Sequence, residues 1–186
     1  TYTISKITAE NFVRMFRDVY NMDITVLRWM NASGPRQHIF PVRKFIPMII
    51  TQSILNENIE IYGTGNQTVD IIDVRDIANI AIKSIRNGIG KDLSKVYDVG
   101  SGHAISCNEV AEYVLKKINS KSKINYLPMR IGEALDTKIA AKSHNELLKK
   151  INYNLQYSFE DTMDACIDYM KNLDINYLKK AYNFFK

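Results

Sequence analysis

Apolar positions along this chain change their period repeatedly, and the changes outline alternating helices and strands. Phe12, Met15, Phe16 and Val19 recur at i, i+3, i+4 and i+7, so residues 4–20 form an amphipathic helix. Residues 24–29 are rich in β-branched and aromatic side chains and predict a strand. Gly34-Pro35 breaks the chain, and Pro41 and Pro47 frame an irregular stretch leading into a helix through Ile49, Ile50 and Ile54. Residues 59–62 predict a short strand, Gly63-Thr64-Gly65-Asn66 a turn, and residues 69–74 another strand.

Asp76 is then the expected cap of a helix carrying Ile77, Ile80, Ala81 and Ile85 on one face. Residues 96–99 predict a strand ending at Gly100-Ser101-Gly102. Ser106 and Glu109 have capping-box spacing before a helix with Val110, Val114 and Ile118. Residues 124–127 predict a strand. Ser143 with Glu146 and Ser158 with Asp161 have the spacing of two further helix starts, the second before an apolar stripe of Met163, Cys166, Ile167 and Met170. Strands alternating with helices predict an α/β fold with a mostly parallel sheet.

Composition narrows the class. The chain has 186 residues, enough for one domain or a little more, with 46% apolar and 24% charged residues. No apolar run approaches membrane-spanning length, and the first residues lack the apolar stretch of a signal peptide. Cys107 and Cys166 match no metal spacing, and Cys166 falls on an apolar helix face as a buried free thiol. A reducing, cytoplasmic setting is the expectation. The net charge of +5 fits a Lys- and Asn-rich surface and equally an anionic ligand. Scattered basic residues, with no basic helix carrying interleaved aromatics, argue against nucleic acid.

The candidate chemistry sits at the N-terminus. Tyr2 and Lys6 are four residues apart on the first helix and share a face. An ammonium beside a phenol stabilises phenolate, which is what a tyrosine acting as general acid/base requires. Neither Gly63-x-Gly65 nor Gly100-x-Gly102 completes a dinucleotide fingerprint, since Thr68 and Ile105 occupy the last glycine position. His38, His103 and His144 have no ligand spacing, so no metal site is expected.

The order of short motifs adds a resemblance. Tyr2-Thr-Ile-Ser-Lys6-Ile-Thr-Ala-Glu10 resembles the catalytic helix of the extended short-chain dehydrogenase/reductase family, the NAD-dependent nucleotide-sugar epimerases and dehydratases. Arg28-Trp29-Met30-Asn31-Ala-Ser-Gly34-Pro35-Arg36-Gln37 is similar to the strand and loop that follow it. Ile61-Tyr62-Gly63-x-Gly65-x-Gln67-Thr68-x-Asp70, then Asp73-Val74-Arg75-Asp76-Ile77-Ala78, resembles the substrate-domain hairpin and next helix. Tyr97-Asp98-Val99-Gly100-Ser101-Gly102 and Arg130-Ile131-Gly132-Glu133 match two later signatures.

The resemblance implies a fold and a set of roles. The fold would be the C-terminal part of a Rossmann-type parallel sheet, residues 1–33 and 76–100, plus a small α/β substrate-binding domain, residues 34–75 and 101–186. Tyr2 would be the acid/base, and Lys6 would support it and bond the nicotinamide ribose of NAD or NADP. Trp29 would lie beside the cofactor. Asn31, Tyr62, Arg130 and Glu133 would bind a nucleotide sugar, Arg130 at the diphosphate and Glu133 at the ribose; a solvated loop is the other reading of Arg130 and Glu133. The first helix would form a homodimer. Two departures stand out. Val69 occupies the place where the family usually has an arginine on the diphosphate, and the half carrying the cofactor loop is absent. The implied function is a fragment of a nucleotide-sugar epimerase working by transient oxidation at the sugar C4. A 4,6-dehydratase or decarboxylase of the same family, or a non-catalytic sugar-nucleotide-binding module, is the alternative.

Overall fold

The computed structural model describes residues 1–91, 96–132 and 141–186. Helix α1 (Tyr2–Tyr20) is followed by strands β1 (Val26–Trp29) and β2 (Asn31–Ser33), helix α2 (Phe45–Leu55) and strands β3 (Ile59–Tyr62), β4 (Thr68–Val69) and β5 (Ile71–Asp73). Then come α3 (Val74–Arg86), a 3₁₀ turn (Ile89–Lys91), β6 (Val96–Val99), β7 (Ile105–Ser106), α4 (Cys107–Ile118) and β8 (Ile124–Leu127). Helices α5 (Ala141–Lys150), α6 (Phe159–Lys171) and α7 (Ile175–Phe184) complete the described chain. Strands pair in parallel as β1 with β6, β2 with β5 and β3 with β8; β4 and β7 pair antiparallel. The α/β class expected from the alternation is the one observed.

The chain changes partners at Met30. β1 runs beside β6 up to Trp29 opposite Val99, and β2 runs beside β5 from Asn31 opposite Ile71. The Met30 amide donates to the Val99 carbonyl at 2.8 Å, whereas the next amide, Asn31, donates to Asp70 at 2.9 Å. A strand that switches neighbours leaves a crevice beside the switch, the place where open α/β sheets bind ligands.

Two apolar cores flank this switch. Ile71 belongs to the larger one, with α2, β3, α4, α6 and α7; Ile72 belongs to the smaller one, with Ile80, Tyr97, Val99, Leu147 and Ile151. Adjacent strand residues point to opposite faces, so one short strand closes both cores. The stripe Met163, Cys166, Ile167 and Met170 is buried, as its period predicts. Neither cysteine forms a disulfide, both are buried, and burial pushes the Cys166 thiol up to about 12. The capping boxes at Ser106/Glu109 and Ser158/Asp161 form. Asparagine takes the left-handed position that ends α1, α2 and α4 at Asn21, Asn56 and Asn119, so the Asn-rich composition serves as helix stops.

Several expectations need correction. The expected strand over residues 69–74 breaks at Asp70. There the chain leaves β7 for β2, and the Asp70 carboxylate accepts from the Ser101 amide at 2.6 Å and the Ser101 hydroxyl at 2.7 Å. The cap of α3 is Asp73, whose carboxylate accepts from the Arg75 amide at 2.8 Å. Asp76 is instead buried and accepts from the Tyr153 hydroxyl (2.6 Å) and the Gln156 and Tyr157 amides (3.0 and 3.2 Å). Helix α5 begins at Ala141, which puts Ser143 inside the helix rather than at its cap. Helix α7 has no counterpart in the sequence expectations; only Leu178 and Ala181 are buried on it, too few for a clear period. The apolar stripe of α1 exists but covers nothing, because none of that helix's residues is buried.

Candidate functional site

The crevice at the Met30 switch opens into a cavity of about 660 Å³. Met30, Asn31, Ala32 and Ser33 line one wall from β2. Asn31 is held there twice, by its amide and by its side-chain amide, which donates to the Asp70 carbonyl at 3.3 Å. Tyr2 lines the mouth at the start of α1 and is largely exposed. The Lys6 ammonium lies 5.4 Å from the centre of the Tyr2 ring, so the i,i+4 spacing does bring the two together. α1 is pinned to β1 by Arg28, which donates to both carboxylate oxygens of Glu10 at 2.7 and 2.8 Å. Those hydrogen bonds hold the Glu10 carboxyl below its usual range.

The opposite wall comes from β3 and the start of α2. Parallel pairing sets Tyr62 opposite Leu127, and three residues further on Arg130 folds back over Tyr62. Its guanidinium carbon stands 3.8 Å from the ring centre. Arg43 approaches the same ring at 5.7 Å and donates to Glu60 at 2.6 Å. Lys44 is the N-cap of α2 and contributes no side-chain cap. The first turn of that helix faces the cavity through Phe45 and Ile46, so the positive end of the helix dipole adds to three cationic side chains. Glu60 is the one carboxylate lining the cavity among the described residues. Three cations, a helix N-terminus and an aromatic ring on one wall can accommodate an anion with an aromatic or apolar portion.

Tyr2, Asn31, Tyr62 and Arg130, singled out from sequence, therefore line one space. Lys6 stands behind Tyr2, outside the lining. Trp29 also lies outside it and packs against the smaller core beside Val99. Glu133 lies outside the described residues. Arg43 and Lys44 were not singled out. They sit in the irregular stretch between two prolines, where periodicity is silent; two adjacent cations just ahead of a helix start were the available signal.

The glycine turns are occupied from within. The Gly100-Ser101-Gly102 turn aims its amides at Asp70, and a Cβ on Gly100 would collide with that carboxylate. Gly65, at φ +77°, packs against the Asn108 side chain, and its carbonyl accepts from the Asn108 amide at 3.0 Å. The Ser101 and Gly102 amides are thus spent on Asp70 rather than turned to an external phosphate.

Known proteins share the fold and parts of the sequence. The model of the NAD dependent epimerase/dehydratase family matches residues 1–100. The low-salt glycan biosynthesis protein Agl12 of Haloferax volcanii is 30% identical over 169 residues, 90% of this chain and 51% of that protein. The UDP-N-acetylglucosamine 4-epimerase of Methanobrevibacter ruminantium, solved with UDP-N-acetylmuramic acid, superposes with a TM-score of 0.78 at 28% identity, over 91% of this chain and 53% of that one. Epimerase Mth375 of Methanothermobacter thermautotrophicus shares the fold with a TM-score of 0.83 at 22% identity, over 96% of this chain and 52% of that one. The chain spans about half the length of the curated relatives it matches. The matched residues and the likeness to Agl12 over nine-tenths of the chain lead to one conclusion: this chain belongs to the NAD dependent epimerase/dehydratase family.

Proposed function

We propose that this chain supplies the acid/base pair and the substrate pocket of an NAD-dependent nucleotide-sugar epimerase. The observation that carries this reading is the single cavity joining a tyrosine-lysine pair at its mouth to a cation-rich, aromatic wall. Tyr2 takes the proton of the sugar O4 as C4 is oxidised to a ketone, and returns it when C4 is reduced on its other face. Lys6 sets a positive charge beside the phenol. Asn31 donates to the diphosphate or the sugar, and Arg130 and the start of α2 hold the diphosphate. Tyr62 lies beside the nucleotide base. NAD, or NADP in the same role, supplies the hydride acceptor and donor when bound; Tyr2 and Lys6 are the residues that would face it. The glycine turns described above are engaged internally, so the dinucleotide pyrophosphate is held by a segment other than these.

The uncovered stripe of Phe12, Met15, Phe16 and Val19 supports a homodimer formed through α1. Its test is the mass in solution of the protein and of a Phe16→Glu variant, which should dissociate.

Calorimetric titration with a UDP-sugar or dTDP-sugar tests the pocket, and NMR of the sugar after incubation with NAD tests the reaction. A C4 epimer is the expected product of the protein once a dinucleotide site is present. A 4-keto-6-deoxy sugar would assign dehydration instead. Absence of any nucleotide-sugar binding would overturn the reading.

A further inference from the structure

Arg43 is a cation whose present partner lines the same cavity. Its Nη2 donates to Glu60 at 2.6 Å, and the side chains of the pair are 21% and 39% exposed. The pair is partly open to the cavity, so an anion entering there can reach the guanidinium and compete with the carboxylate for it. Both residues line the cavity, and Arg43 approaches the Tyr62 ring that Arg130 also covers. Two guanidiniums thus flank one aromatic side chain. Val69 lines the same cavity and offers that stretch of wall no charge. A diphosphate carries its charge on two linked tetrahedra, and one guanidinium matches only one of them in a bidentate way.

We propose that Arg43 is a diphosphate-specificity residue: it leaves Glu60 when ligand enters and takes the second phosphate of the nucleotide diphosphate. This rests on the nucleotide-sugar reading of the cavity given above. Glu60 is then a competitor. It keeps the guanidinium occupied in the empty pocket and repels anions that arrive without enough charge to displace it. Only a ligand bearing two phosphates offers Arg43 a better partner than the carboxylate. The two residues should therefore affect affinity in opposite directions, which a purely structural ion pair would not.

The experiment measures dissociation constants of UDP, dTDP, UMP and dTMP for the protein and for Arg43→Gln and Glu60→Gln, at one fixed ionic strength. Thermal unfolding of all three confirms that the variants are folded. Arg43→Gln should weaken the diphosphates about tenfold and the monophosphates about twofold or less. Glu60→Gln should tighten the diphosphates several-fold, because the competing charge is gone. Equal losses for mono- and diphosphates in Arg43→Gln, or weaker diphosphate binding in Glu60→Gln, would overturn the proposal and make the pair a scaffold. Diphosphate binding by the unaltered protein that Arg43→Gln leaves unchanged would overturn this proposal alone. Failure of the unaltered protein to bind any of the four would overturn the nucleotide reading and this proposal with it.

Discussion

Arg130 lies against the face of Tyr62, with its guanidinium carbon 3.8 Å from the ring centre. The contact joins two segments far apart in sequence through the β3–β8 register, and it fixes a flexible cation over the cavity before any ligand arrives. A pre-positioned guanidinium loses less conformational freedom on binding than one free in solvent.

Arg130→Ala should weaken nucleotide-sugar binding by about ten- to a hundredfold, because a charge-assisted hydrogen bond to an anion is worth about 1.5–3 kcal/mol. Val69→Arg should recover part of the loss in the double variant. Titration with a UDP-sugar reads both, and unchanged affinity in Arg130→Ala would place the diphosphate elsewhere.

Tyr2→Phe should lower turnover by about 10²-fold or more while leaving substrate affinity nearly intact, since the hydroxyl acts in the chemical step and the ring remains. The comparison of kcat with the binding constant is the measurement. Turnover at the level of the unaltered protein would remove Tyr2 from the acid/base role.

The 186-residue chain by itself should bind a UDP-sugar without converting it when NAD is added, because neither Gly-x-Gly turn completes a dinucleotide fingerprint and the amides of the second are spent on Asp70. Product formation by the purified chain would mean that the cofactor site lies within it.

His144 makes stability depend on pH. It is buried on α5 and its Nδ1 has no hydrogen-bond partner among the described residues. Burial holds its pKa below the ordinary 6.5, with His103 adding to the shift and the Asp70 carboxylate opposing it. Between the depressed folded value and 6.5 the unfolded chain holds the extra proton. Stability therefore rises with pH through that window, is complete above about 6.5, and is lost as pH falls through the folded pKa. Urea midpoints measured from pH 8 down to pH 5 should fall, and His144→Leu should flatten the profile. An identical slope in the variant would assign the acid sensitivity to another group.

Asp76→Ala should cost about 2–4 kcal/mol, because it strands the Tyr153 hydroxyl and the Gln156 and Tyr157 amides in a partly buried place. Urea denaturation measures this. A loss below about 0.5 kcal/mol would mean that water replaces the carboxylate at all three donors.

Elements with a strong period or a side-chain signature were legible from residues alone. α6 shows a four-residue buried stripe, α4 and α6 carry complete capping boxes, and β3, β6 and β8 appear where their composition puts them. The Tyr2–Lys6 relationship was legible too, because helix geometry turns a spacing into a contact without help from the rest of the chain. Where a side chain answers a distant partner, local reading went astray. Asp76 has the chemistry of a cap, yet Tyr153, Gln156 and Tyr157 draw its carboxylate away and leave the cap to Asp73. Asp70 looks like a strand residue until Ser101 and Gly102 claim it.

Sequence alone settled the strongly periodic helices and strands, the family and four members of the cavity wall, since each depends on neighbours in the chain or on a motif. Tertiary structure decided the rest. The partner switch at Met30 and Asn31, the stacking of Arg130 on Tyr62 and the entry of Arg43 beside Glu60 all depend on strand register and on loops that meet across long separations. No periodicity encodes a register, because it is set by which buried faces pack together once the whole chain has closed on its cores.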